Sequence, residues 1–281
     1  MILIAESGST KTDWVLLDNG KLVDQQQSAG INPFFQSVEA ISDTISFLKE
    51  FKHIESIFFY GAGCANEEKN QIIQQAFATI FPHTNCSVAS DLLAAARALC
   101  GNQQGIACIM GTGSNSCFYD GENITQNVSP LGFILGDEGS GAVLGKKIMA
   151  DILKNQASKE IIEAFWKAYD FQPHDIINKV YREPFPNRFL AKFTRFLKEH
   201  IENPYIETLI VNSFCEFIER NIKQYPNFQN ETIHFTGSIA FHFLDQLKQV
   251  AAQFNLKIGN VLQSPLQGLI DYHSKTSNHG K

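Results

Sequence analysis

The chain has 281 residues, 44% hydrophobic and 19% charged, with 19 Gly and 9 Pro. At about 150 residues per domain this is roughly two domains, long enough to bury cores without metal or disulfide staples; disordered, collagen-like and mini-scaffold chains are excluded. A net charge of −6 gives a nucleic-acid partner or an anionic membrane surface no electrostatic support.

Six cysteines, at 64, 86, 100, 108, 117 and 215, show neither CxxC spacing nor a His at zinc-finger spacing. Reduced, mostly buried thiols are therefore expected, without a metal or disulfide framework. The start, Met1 to Glu6, has no basic segment followed by an apolar one, and no apolar run approaches the ~18 residues of a membrane span. The expectation is a soluble, cytoplasmic protein.

In chain order, an apolar run from Ile2 enters the polar turn Ser7-Gly8-Ser9-Thr10, and a second leaves it through Trp14 to Asp18-Asn19-Gly20. This predicts a β-hairpin. The pattern returns from Ile106 through Gly111-Thr112-Gly113-Ser114 to Asp120-Gly121, with Gly8-Ser9 aligning on Gly113-Ser114. Two copies point to a duplicated domain. Further strand-to-glycine junctions end at Gly61-Ala62-Gly63 and Thr236-Gly237-Ser238. Helices are predicted over 67–81, 91–99 and 239–254, so strands alternate with helices in an α/β architecture. From Gly141 to Tyr225 the chain reads as a helical insertion, offset at Pro184-Phe185-Pro186 and at Pro204. The last nine residues, from His273, are polar and expected to fray.

Three glycine-bearing turns after strands present backbone N–H groups and hydroxyls to an anion. They match neither the P-loop nor the G-x-G-x-x-G spacing, so a nucleotide would be held between loops. Gly136-Asp137-Glu138-Gly139-Ser140-Gly141 sets adjacent carboxylates among glycines; Asp137 or Ser140 also fits as the cap of the following helix. Asp91 reads equally as an N-cap or as a carboxylate at the carboxyl end of a strand, where open α/β sheets place catalytic groups. Asn32, in Gly30-Ile31-Asn32-Pro33, could pair with a polyhydroxyl ligand. The eight histidines neighbour no Ser or Cys in a nucleophile context, so a triad hydrolase is unsupported.

Taken together, Glu6-Ser-Gly-Ser-Thr-Lys-Thr-Asp-Trp14, Gly111-Thr-Gly-Ser-Asn115, Gly136-Asp-Glu-Gly-Ser140 and Thr236-Gly-Ser-Ile-Ala240 resemble the motifs of the BadF/BadG/BcrA/BcrD ATPase family. Within it the chain is most similar to the N-acetylglucosamine kinase branch of the actin-like ATPase (sugar kinase, Hsp70, actin) superfamily, over about residues 2–270. The resemblance implies a duplicated ribonuclease H-like fold with an interdomain cleft. Its domains would span 1–105 and 106–281, the second carrying the insertion at about 145–225 and a last helix free to pack back on the first. It implies ATP and Mg²⁺, an amino-sugar substrate, no nucleic-acid or membrane partner, and a possible homodimer.

Carried over, Gly8, Ser9, Thr10 and Lys11 would face the β/γ-phosphates, with Thr112, Gly113 and Ser114 meeting them from the second domain. Gly237 and Ser238 would lie under the adenosine or α-phosphate. Asn32, Asn115 and Asp137 would bind the sugar, and Asp91 would take its hydroxyl proton. Glu6 stands where relatives carry Asp, holding Mg²⁺ through water, and Phe133 where kinase relatives often carry Trp. The implied activity is phosphoryl transfer from ATP to the 6-hydroxyl of N-acetylglucosamine or a close relative. The alternatives are an activator ATPase for a radical dehydratase or benzoyl-CoA-type reductase, and a non-catalytic sugar-sensing regulator. The first needs cluster-binding cysteines, and the second usually carries an added DNA-binding helix-turn-helix.

Overall fold

A computed structural model of the chain describes residues 1–8, 11–64 and 66–276. These fall into two compact units. One comprises 1–102, 121–123 and 265–276; the other comprises 103–120 and 124–264.

The first unit runs β1 (Ile2–Ser7), β2 (Lys11–Asp18), β3 (Lys21–Ala29), α1 (Val38–Thr44), β4 (Ser56–Gly61), α2 (Glu67–Ala78), β5 (Asn85–Ser90) and α3 (Asp91–Cys100). Its sheet has the order β3-β2-β1-β4-β5. β1 is antiparallel to β2 and parallel to β4, and β4 is parallel to β5. A central strand covered on both faces must be apolar without alternation, and Leu3, Ile4 and Ala5 are all fully buried. The turn after β2 uses Asn19 and Gly20 at φ 47° and 75°, the left-handed geometry that matches the twist of a two-residue hairpin. Trp14 anchors one face of the sheet, its ring 5.9 Å from Phe47 and 6.1 Å from Phe77.

The second unit repeats this path. It runs β6 (Gly105–Met110), β7 (Ser114–Tyr119), β8 (Ile124–Val128), α4 (Gly132–Leu135), six helices, β9 (Thr232–Thr236), two short helices and β10 (Lys257–Leu262). The order β8-β7-β6-β9-β10 is that of the first sheet, again a three-stranded antiparallel meander followed by two parallel strands. The duplication read from the two glycine turns is thus a duplication of topology.

The insertion comprises α5 (Gly141–Leu153), α6 (Lys159–Ala168), α7 (Pro173–Tyr181), α8 (Pro186–Ala191), α9 (Thr194–Glu199) and α10 (Pro204–Arg220). Pro173, Pro186 and Pro204 each open a helix, where the missing N–H is not needed. Phe165, Phe193, Phe196, Phe214 and Phe217 form its core, each at most 1% exposed. Burying such a ring contributes about 2–3 kcal/mol before packing terms.

Two expectations need correction. The helix predicted over 239–254 is broken at Phe243 (φ −112°, ψ 35°) into α11 (Ser238–His242) and α12 (Leu244–Gln253). Residues 273–276 do not fray but end α13 (Leu266–Thr276), which packs on α3 and returns to the first unit. His273 is 2% exposed, and its ring lies 4.1 Å from that of Phe58. Arg97 Nη1 donates to Tyr60 Oη at 2.8 Å, leaving the Tyr60 hydroxyl to donate to His273 Nε2 at 2.9 Å. Burial, then Arg97, pulls His273 down to about 4, which keeps Nε2 an acceptor. A polar residue near a chain end was buried by a partner far away in sequence. The remaining predicted tail, 277–281, lies outside the described residues.

Candidate active site

In the first unit, parallel strands β1, β4 and β5 end together, because Ser7 pairs with Gly61 and Gly61 with Ser90. That register brings Glu6, at the end of β1, and Asp91, just past β5, to the same sheet edge. Asp13, on β2, lies directly across from Glu6. Three carboxylates therefore share one neighbourhood. Burial, then Asp13 and Asp91, pushes Glu6 up from 4.5 to about 7, while Lys11 pulls it down. Burial also raises Asp91 above its ordinary 3.8, against the backbone N–H groups of Leu92 and of Asp91 itself. Lys11 Nζ lies 2.9 Å from Asp13 Oδ2, and Gln27 Nε2 donates to Asp13 Oδ1 at 2.6 Å. Ser9 and Thr10 lie outside the described residues.

Ser90, not Asp91, caps α3: its side chain accepts from Leu93 N at 3.2 Å. Ser140, not Asp137, caps α5 by accepting from Val143 N at 3.2 Å. In both places a serine next to or near the acid does the capping work. The capping alternative for each acid falls, and each carboxylate is left to be explained otherwise.

Asn32 sits in a loop tied back to the hairpin. The Ser7 and Thr12 hydroxyls lie 2.7 Å apart, Ile31 N donates to Ser7 Oγ, and Thr12 Oγ1 donates to Ala29 O. Asn32 Oδ1 accepts from Phe34 N at 2.9 Å, and a Cβ at Gly63 would come within 2.4 Å of that oxygen. Ser7 and Thr12 are fully buried and were not singled out in the sequence. A hydroxyl inside an apolar strand was the available signal, because such a group must find a partner.

In the second unit three turns are stitched together. Gly141 N donates to Gly111 O at 2.8 Å and Ala142 N to Thr112 O at 3.0 Å, which fixes the turn after β6 against the start of α5. Gly237 has φ 114° and a Cβ there would meet Met110 O at 2.3 Å, so only glycine lets the turn after β9 lie on the end of β6. Ser238 is the first residue of α11. Thr236 Oγ1 beside it is buried and has no hydrogen-bond partner among the described residues.

Asp137 (φ 54°) and Leu131 (φ 60°) both occupy the left-handed region. Such outliers persist only where surrounding structure holds them. Asp137 Oδ1 accepts from Ser114 N at 3.3 Å, and burial pushes its carboxyl up to about 6. Its neighbour Glu138 points inward to Arg220 Nε at 2.7 Å and Asn221 Nδ2 at 3.3 Å. Of the acidic pair, Glu138 is thus spent on an ion pair. Ser114 Oγ is also committed, donating to Glu138 O at 2.8 Å. Phe133, where relatives often carry Trp, is half-buried on α4, and its carbonyl accepts from Lys146 Nζ at 2.6 Å.

The residues present suit a phosphate group. Among the described residues, a Cβ at Gly111 would meet nothing within 4 Å and one at Gly8 only Lys11 O at 3.8 Å, so the turn after β6 leaves room for an anion. Burial first, and then the Asp13 and Asp91 carboxylates beside it, raise the proton affinity of Glu6, an excess of negative charge that a divalent cation would relieve. Among the described residues no three acidic, His or Cys side chains converge to chelate a metal directly. Magnesium, which keeps several waters, does not require such a group.

No family model matches the sequence, and no curated protein is significantly similar to it. Among solved structures, a Porphyromonas gingivalis protein provisionally named an N-acetylglucosamine kinase is 47% identical, with a TM-score of 0.92 over 99% of this chain and 100% of its own. The chain belongs to the N-acetylglucosamine kinase branch of the BadF/BadG/BcrA/BcrD ATPase family. Two more distant structures share the fold of this branch. One is a Chromobacterium violaceum protein with the same provisional name, 15% identical, TM-score 0.70 over 96% of this chain and 98% of its own. The other is a ROK family glucokinase from Streptomyces griseus in complex with glucose and AMPPNP, 13% identical, TM-score 0.56 over 99% and 100%. The fold is the duplicated ribonuclease H-like fold of actin-like ATPases. Among the described residues no helix is long and apolar enough to cross a membrane.

Proposed function

We propose that the protein is an ATP-dependent amino-sugar kinase, transferring the γ-phosphoryl of ATP to the 6-hydroxyl of N-acetylglucosamine or a close relative. The observation that carries this reading is Asp91. It is a carboxylate at the carboxyl end of a parallel strand, relieved of capping by Ser90 and raised in proton affinity by burial. Phosphoryl transfer needs alignment and charge neutralisation more than covalent chemistry. When bound, Mg²⁺ supplies neutralisation at the phosphate oxygens, and Glu6 is the residue to hold it through water. Gly8, Lys11, Thr112, Gly113 and Gly237 line the phosphates; Asn32, Asn115 and Asp137 hold the sugar. Asp91 orients the attacking hydroxyl and accepts its proton, a contribution typically of 10²–10⁴-fold.

The activator reading is not favoured. Cys64, Cys100, Cys108 and Cys117 are buried, and burial raises the Cys64, Cys86 and Cys100 thiols to about 12, far from thiolate ligands. The product tests the reading. Incubation with ATP, Mg²⁺ and N-acetylglucosamine should give a sugar monophosphate whose ³¹P–¹H coupling places the phosphate on C6. Phosphate on another carbon would overturn the regiochemistry, and inorganic phosphate alone would overturn the kinase.

Asp137→Ala should weaken sugar binding more than ATP binding, because its Oδ2 has a substrate hydroxyl as its proposed partner. A buried polar contact left half-made costs about 1–3 kcal/mol, or roughly 5- to 150-fold in sugar affinity. Calorimetry showing unchanged sugar affinity would remove Asp137 from the sugar site.

A further inference from the structure

Asn115 lies on β7 and Asn127 on β8, the edge strand beside it. Cys117 is the cross-strand partner of Asn127, so Asn115 is its diagonal neighbour on the same face. Asn127 Nδ2 lies 2.7 Å from Ser116 O, 3.2 Å from Val128 O and 2.9 Å from Asn115 Oδ1. Two of these three oxygens are backbone carbonyls, which can only accept. The Asn127 atom facing them must therefore be its NH₂ group, since an oxygen there would confront three acceptors.

That choice propagates. An NH₂ directed at Asn115 requires an oxygen in return, and Ser116 N, which can only donate, reaches the same Asn115 atom at 2.9 Å. Two donors thus converge on Asn115 Oδ1 and fix the amide in one of its two orientations. The backbone making this choice is itself held. Tyr225 Oη lies 2.7 Å from Ser116 Oγ and accepts from Val128 N at 3.2 Å. With its oxygen doubly occupied, Asn115 has only N–H donors left to offer a ligand.

We propose that Asn127 is a positioning residue that locks the Asn115 amide as a donor, so that Asn115 takes an acceptor oxygen of the sugar. This rests on the amino-sugar kinase reading and adds to it a polarity and a residue that touches no substrate. Without Asn127 the Ser116 N–H alone holds the amide, and water competes for the second lone pair at this open strand edge. With Asn127→Asp the replacement has no N–H to give, and it draws the Asn115 NH₂ inward, turning the amide away from its donor role.

The test is steady-state kinetics of Asn127→Ala, Asn127→Asp, Asn115→Ala and the Asn115→Ala/Asn127→Ala double variant, each checked for folding by thermal denaturation. In both Asn127 variants the sugar KM should rise about tenfold, more for Asp than Ala, with kcat and the ATP KM within about twofold. In the Asn115→Ala background the Asn127 effect should vanish, because its only route to the sugar is gone. A sugar KM within about twofold of wild type in both Asn127 variants would overturn the proposal, and so would an undiminished effect in the double variant. Wild-type protein lacking any sugar-dependent ADP formation would instead overturn the kinase reading, and this positioning role with it.

Discussion

Asp91→Asn is expected to give a folded protein that binds ATP and sugar and turns over at least ~10²-fold more slowly. Asparagine keeps the size and the two-pronged shape of the side chain but cannot accept the hydroxyl proton. The capping bond of this helix, from Leu93 N to the Ser90 side chain, is untouched by the substitution, and the Asn oxygen can still accept from the backbone N–H of Leu92. The substitution also removes a charge whose burial is unfavourable, and it relieves Glu6 of one of its two carboxylate neighbours. Thermal stability should therefore hold or rise while kcat collapses and both Kd values move little. A kcat within about threefold of wild type would remove Asp91 from the role of base.

Glu6→Gln should stabilise the protein above neutral pH. The folded carboxyl sits at about 7 against 4.5 for its ordinary value, so between those limits the folded state binds more protons than the unfolded state. Stability contributed by this group thus falls as pH rises from about 4.5 to about 7, and the loss is complete above it. At pH 8 the cost is about 3 kcal/mol, removed in the Gln variant, whereas at pH 4.5 the two proteins should nearly coincide. Denaturant unfolding of both proteins across pH 4.5–8 measures this. Equal stability at pH 8 would show that Glu6 is not held in a carboxylate-rich, water-poor setting. The same substitution should raise the Mg²⁺ concentration needed for half-maximal activity, since the ionised Glu6 is the proposed partner of the cation's water.

The parts of the fold legible in the sequence were those written in local spacing. Two glycine turns flanked by apolar runs mark both hairpins, and the prolines at 186 and 204 mark where insertion helices begin. What was not legible depends on partners distant in sequence. His273 looks like a polar tail residue until Tyr60 and Arg97 come to meet it. The break falls at Phe243, whose ring is 1% exposed in the core of the second unit, so a residue that fits a continuous helical pattern is placed by contacts distant in sequence. At the site, carboxylates among glycines drew notice at once, but sequence could not divide their labour. Glu138 turns inward to Arg220 while Asp137, one residue before it, takes the left-handed turn. Nor could it show that Ser90 and Ser140 free the two acids from capping. Asn127 left no signal at all, because its meaning lies in a strand pairing that fixes another residue's amide.

The measurement that bears most directly on the whole account is coupled ADP release with ATP and Mg²⁺, run without sugar and across a panel of hexoses and amino sugars. ADP formation should be near background without acceptor, should rise at least ~10²-fold with N-acetylglucosamine or a close relative, and should cease on chelation of Mg²⁺. ATP turnover at the full rate with no sugar present would contradict it.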